Sequence, residues 1–191
     1  KKIDILYPLM NTVSMLQQGL FLGKPDEQTK IQEKLLLYLE SKKGLNIIVK
    51  PFINYNDYNC SVMPVLKRLK NIKVMDDINF IESFKKYDVG AVLIDYISTA
   101  LSEAMPYDVE IFAVGNPMDG IDDDALALLR KRVYYSDRVD EIISLIDKKL
   151  SNELEPRRDS SFMDEFIFRE NTEQNVKDFI MSKRSSPCAE S

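Results

Sequence analysis

The sequence predicts a three-layer, Rossmann-like α/β sandwich: a six-stranded, mainly parallel sheet with helices on both faces and further helices at the C-terminus. Three observations support this. Six short apolar runs alternate with amphipathic stretches over residues 1–150, the rhythm of right-handed βαβ crossovers. The run at 91–94 is continuously apolar and passes straight into a helical pattern, as a strand buried on both faces does. The length, 191 residues, suits one domain or one compact half of a larger protein.

In chain order, strands are expected at 3–7, 45–50, 72–75, 91–94, 109–114 and 132–135. The clearest helix is 26–41, with Ile31, Leu35, Leu36 and Leu39 on one face and charges opposite. Gly44 ends it, being free to take positive φ. Further helices are expected at 58–69, 79–86, 98–105, 122–131 and 136–150. Residues 9–24, rich in Met, Gln and Gly, fit either a helix or a long active-site loop. A polar, Pro-containing connection at 151–160 leads to helical pieces at 161–169 and 172–183. Residues 151–184 thus form an extension packing back on the domain or on a partner, and 185–191 a disordered tail. No internal repeat is visible.

Composition excludes several classes. The net charge is −5, and no basic stripe interleaved with aromatics is present, which argues against a nucleic-acid surface. The longest apolar runs fall well short of a membrane span. No secretory signal is visible, and the chain opens on Lys1–Lys2 without an initiator Met, so the natural N-terminus is expected to lie further upstream. Two far-separated cysteines, Cys60 and Cys188, fit free thiols in a reducing cytoplasm. There is no histidine, so the commonest general base and the commonest zinc ligand are both lacking. Neither GxGxxG nor a Walker A sequence occurs.

The segment 91–105, AVLIDYISTALSEAM, is the most informative. The apolar run ends at Asp95, Ser98–Thr99 opens a helical pattern, and Glu103 lies one turn beyond Thr99. A helix start offers unpaired N–H groups and a positive dipole end, which suit a phosphate, and Ser98 and Thr99 add hydroxyls. Thr99 and Glu103 share a face with a rise of about 6 Å, which suits a phosphate at one end and a sugar diol at the other. The bland alternative is a helix cap followed by a solvated glutamate. Ligands of open α/β sheets bind outside the carboxyl ends of the strands. Here that places 8–12, 50–54, 76–79 and 95–99 around one crevice.

Other acidic and aromatic groups read as structural. Asp122–Asp124 favours a helix N-terminus through the dipole, and the surrounding DGIDDD run fails the spacing of a calcium loop. Tyr134–Tyr135 ends the sixth strand, with one ring packed and one at the surface. Lys148–Lys149 and Arg157–Arg158 read as solvated faces or helix C-terminal charges.

The ordered set NIIVKPF, NIKVMDD, AVLIDYISTALSEAM and VEIFAV resembles the C-terminal nucleotide-binding half of GT-B-type glycosyltransferases. Closest are the bacterial surface-polysaccharide and CDP-glycerol glycerophosphotransferase-like enzymes. Lys50-Pro51-Phe52 stands at the family's Lys-Pro-His-Pro-like turn. Asp95, Ser98 and Thr99 match its D-x-x-S-T turn, and Glu103-Ala104-Met105 its E-A-hydrophobic element. The resemblance implies donor-nucleotide binding by Thr12, Lys50, Asp95, Ser98, Thr99 and Glu103. Ser98 and Thr99 would meet the diphosphate, with Lys50 beside it as a point charge and Thr12 reaching the same phosphate. Glu103 would hold the ribose hydroxyls, because a carboxylate accepts two charge-assisted bonds from a diol.

The implied donor is a nucleotide sugar or a CDP-polyol, and the implied acceptor a glycan or lipid-linked chain. An N-terminal GT-B domain would come from outside this chain. No resident cofactor, metal or nucleic acid is implied, and the location would be cytoplasmic or peripheral at the inner membrane face. Two departures stand out: Phe52 replaces the family's His, and Pro106-Tyr107-Asp108 replaces its glycine-bearing turn. Competing expectations are a nucleotide-sugar epimerase-like domain and a non-catalytic α/β interaction module.

Overall fold

The computed structural model describes residues 2–10, 24–51, 61–75, 79–116 and 121–167. The strands are β1 (Lys2–Leu9), β2 (Ile47–Pro51), β3 (Ile72–Val74), β4 (Asp88–Ile94), β5 (Glu110–Val114) and β6 (Tyr134–Ser136). The helices are α1 (Pro25–Ser41), α2 (Met63–Leu66), α3 (Phe80–Lys86), α4 (Thr99–Ala104), α5 (Asp123–Arg132), α6 (Val139–Leu150) and α7 (Ser161–Phe166). The six strands form one sheet in the order β3-β2-β1-β4-β5-β6, and every pairing is parallel. This is the doubly wound arrangement, with its reversal of strand order between β1 and β4.

Helices cover both faces, each over its own core. Leu35, Leu36 and Leu39 of α1, Val65 and Leu66 of α2 and Ile142 and Ile146 of α6 pack on one face. Phe80 of α3, Leu101 and Ala104 of α4 and Leu129 of α5 pack on the other. Alternation carries β1 into both cores: Ile5, Tyr7 and Leu9 join the first, and Leu6 between them joins the second.

Several boundaries differ from the sequence reading, for physical reasons. Pro64 stands in the first turn of α2, which opens at Met63, and the expected start at 58 lies outside the described residues. The side chain of Arg132 is needed at the end of α5, so β6 begins two residues later than expected. Ser136 Oγ donates to Glu141 and accepts from the Arg138 N–H, which delays α6 to Val139. Gly44 does take positive φ, in the turn after α1. Gly115, just past β5, has no room for a Cβ because the Tyr135 hydroxyl occupies that space. Residues 11–23, 52–60 and 168–191, with the expectations that fall on them, lie outside the described residues.

Lys148–Lys149 fall in the last turn of α6, as one of the two sequence readings has it, whereas Arg157–Arg158 are engaged by the fold rather than simply solvated. Residues 153–160 run back across the amino-terminal end of the sheet as a strap. Buried Arg132 donates to the carbonyls of Met105, Tyr107, Val109 and Arg157 at 2.7–3.3 Å. Glu110, only 1% exposed at the start of β5, takes Lys149 Nζ and Arg158 Nη2, each at 3.1 Å. Burial pushes its carboxyl up, but these two cations together hold it below the usual range. Arg158 also pairs with Asp108, and Arg157 lies 4.3 Å from the Tyr134 ring centroid. The strap ends in α7, which packs along α5. Among the described residues, no helix is long and apolar enough to cross a membrane.

Candidate functional site

The strand order switches between β1 and β4, and in open α/β sheets the ligand crevice lies outside the carboxyl ends of the strands at that switch. Pairing of β1 with β2 continues to Leu9 and Pro51, whereas pairing of β1 with β4 stops at Leu6 and Val92. Pro8, which has no N–H to donate, lies in the stretch paired with β2 alone.

On the α4 side, the chain leaves β4 through 95–98 and enters α4. Ser98 is the N-cap of α4 in extended backbone, its side chain making no cap bond. Leu101 and Ala104 turn inward to the core. At 100° per residue, Thr99 and Glu103 therefore share the outward stripe of α4. Thr99 is exposed and Glu103 half-buried. Among the described residues, neither the Thr99 hydroxyl nor the Glu103 carboxylate has a hydrogen-bond or ion-pair partner. Partial burial raises the Glu103 pKa.

Lys50 ends β2 opposite Pro8. It alternates with Val49, which faces α1, and so falls on the α4 side with Ile48. Two strand spacings, about 10 Å, separate its Cα from the end of β4. Its ammonium group has no ion-pair partner among the described residues.

Asp95 is placed differently. It continues the alternation of Ala91 and Leu93 and points to the α1 face, where it is 2% exposed. Gln32 Nε2 donates to its Oδ2 at 2.5 Å, and Gln28 Nε2 donates to its carbonyl oxygen at 2.7 Å and to Oδ2 at 3.3 Å. Burial pushes the Asp95 pKa up to about 6, and its polar neighbours Gln32, Tyr7 and Gln28 oppose that rise. Asp95 thus stands behind the crevice wall rather than in the opening.

The structure therefore gathers Ser98, Thr99 and Glu103 at one corner, sets Lys50 on the same side two strands away, and turns Asp95 to the other side. Thr12, and Phe52 at the departure from the family turn, lie outside the described residues. Gln28 and Gln32 were missed in the sequence. They extend the stripe of Leu35, Leu36 and Leu39 by four-residue steps, and a polar side chain on an inward stripe must find a buried partner.

A separate shallow groove of about 680 Å³ lies at the start of α5 against α7, lined by Asp122, Asp123, Asp124, Leu128, Glu165 and Phe166. Asp122 Oδ1 accepts from the Ala125 N–H at 2.8 Å, so the acidic run opens a helix there. Among the described residues, no group of three or more His, Cys, Asp or Glu could hold a metal ion.

The fold defines the chain as a Rossmann-like α/β domain. In comparisons with known proteins, no family model, no curated protein and no solved structure matches it.

Proposed function

We propose that this chain binds the nucleoside diphosphate part of an activated sugar or polyol donor, as the donor half of a GT-B-type glycosyltransferase in bacterial cell-surface polysaccharide synthesis. The observation that carries the reading is the corner at the β1/β4 switch point. There Ser98 is the N-cap of α4 and Thr99 and Glu103 share its outward stripe, neither with a partner among the described residues. The order of the motifs in the sequence supports it independently.

In this reading Ser98 and Thr99 donate to the diphosphate, and Lys50 approaches from β2 as a point charge. Charge developing on the leaving nucleotide is then met by hydroxyl and ammonium donors. Glu103 accepts from both ribose hydroxyls, and ligand binding favours its ionised form. A second domain brings the glycan or lipid-linked acceptor and any general base, at the cytoplasmic face of the membrane.

Calorimetric titration of the chain with UDP, CDP, GDP and CMP tests the reading. One nucleotide is expected to bind, and Thr99→Ala and Glu103→Ala are each expected to weaken it by about 1–3 kcal/mol, the range for a buried hydrogen bond left unmade. Equal affinity in both variants, or no binding by any of the four, rejects it.

A further inference from the structure

Three strictly buried polar side chains meet at the root of the crevice, and one of them bridges three elements. Gln32 is 1% exposed in the middle of α1. Its single Nε2 donates to the Met10 carbonyl, just past β1, at 2.8 Å and to Asp95 Oδ2, just past β4, at 2.5 Å. Gln28, one turn earlier and also buried, holds the Asp95 carbonyl itself. The two strand ends joined in this way are the two lips of the crevice. They are also the pair of strands whose own ladder stops short, at Leu6 and Val92. Past that point, the amide of a side chain on α1 connects β1 to β4.

An apolar residue at 32 would fill the same space and continue the leucine stripe of α1. A glutamine costs desolvation unless both its bonds are made. Here both bonds go to the strand ends beside the proposed ligand site, and none serves α1 itself.

We propose that Gln32, assisted by Gln28, is a positioning residue that ties the exit of β1 to the β4–α4 turn through buried Asp95 and so sets the width of the crevice. Its effect on a ligand rests on the nucleotide reading above, but the tie itself does not.

The experiment uses the full chain and two variants that delete one donor while keeping side-chain volume, Gln32→Met and Gln28→Met. Amide hydrogen exchange is read at the ends of β1 and β4 (residues 9–10 and 93–95) against the middle of β5 (111–113). UDP, CDP and GDP titrations are run in parallel. In Gln32→Met, exchange at both strand ends is expected to rise about tenfold, roughly the loss of one buried bond, while β5 stays as in the parent. Gln28→Met is expected to loosen 93–95 more than 9–10, because it bonds only Asp95.

A uniform rise across β1, β4 and β5 means that Gln32 contributes only general stability and overturns the proposal. Unchanged exchange also overturns it. If Gln32→Met does not fold, the pattern in Gln28→Met decides. If exchange responds as expected but the parent chain binds no nucleotide, the tie stands and the nucleotide reading falls. If the parent binds and Gln32→Met binds equally tightly, the tie does not set the crevice.

Discussion

At the amino-terminal end of the sheet, Arg132 divides its guanidinium among four carbonyl oxygens and Glu110 is flanked by Lys149 and Arg158, with the 153–160 strap drawn over them. At the carboxyl end, Thr99 and Glu103 stand on an outward stripe with no partner among the described residues, and the β1/β4 ladder stops two residues before β4 ends. The same sheet thus carries one densely linked end and one that is sparsely linked among the described residues. Buried Arg132 and Glu110 Oε1 find their partners within the chain, although Glu110 Oε2 is left without a hydrogen bond among the described residues, and this density of links suits a role in holding the fold. At the second end Thr99 and Glu103 have no partner among the described residues.

Breaking the densely linked end is expected to give the largest effect. Arg132→Leu removes the guanidinium donors to the Met105, Tyr107 and Val109 carbonyls and its bond to the Arg157 carbonyl in the strap. Urea unfolding should show a loss of about 3–5 kcal/mol, the range for breaking a buried charged network, with nucleotide titration of any folded fraction unchanged.

The sparsely linked end should respond to pH through what lies behind it. Asp95 has its pKa raised from 3.8 to about 6 in the folded chain. Below pH 4 both folded and unfolded chains hold its proton. Between pH 4 and 6 the unfolded chain releases the proton first, so the Asp95 contribution to stability falls as pH rises and levels off above 6. The fall is about 3 kcal/mol at 1.36 kcal/mol per unit. Lowered pKa values at Asp4, Asp147 and Glu110 push the other way, so the measurement is the difference between parent and Asp95→Asn unfolding curves from pH 4 to 7. A flat difference would remove the buried-carboxylate account.

The smallest effect on stability belongs to the outward stripe. Thr99→Ala and Glu103→Ala should change unfolding free energy by no more than about 0.5 kcal/mol, since neither side chain has a partner within the described fold. A larger loss would make the stripe part of the scaffold and narrow the contrast between the two ends.

The layer order, the parallel strands and the helix of Leu35, Leu36 and Leu39 were legible because period and continuity of apolar residues reflect burial directly. So was the outward pairing of Thr99 with Glu103, a matter of helical spacing. The strap was not. Arg157 and Arg158 look like any surface pair, and only the fold brings Glu110 and the carbonyls before β5 to meet them. The side to which Asp95 turns was also hidden, because it depends on strand parity counted through Ala91 and Leu93 and on partners 63 and 67 residues away. Gln28 and Gln32 were within reach, as polar residues on an apolar stripe.

Amide chemical-shift mapping during titration with CDP and UDP tests the central claim most directly. If the β4–α4 corner takes a nucleoside diphosphate, the largest shifts fall on Ser98, Thr99, Leu101 and Glu103, with Lys50 following. The strap and Glu110 should not move. Shifts centred on Asp122–Asp124 and Glu165, or none at any residue of the β4–α4 corner, would contradict the claim.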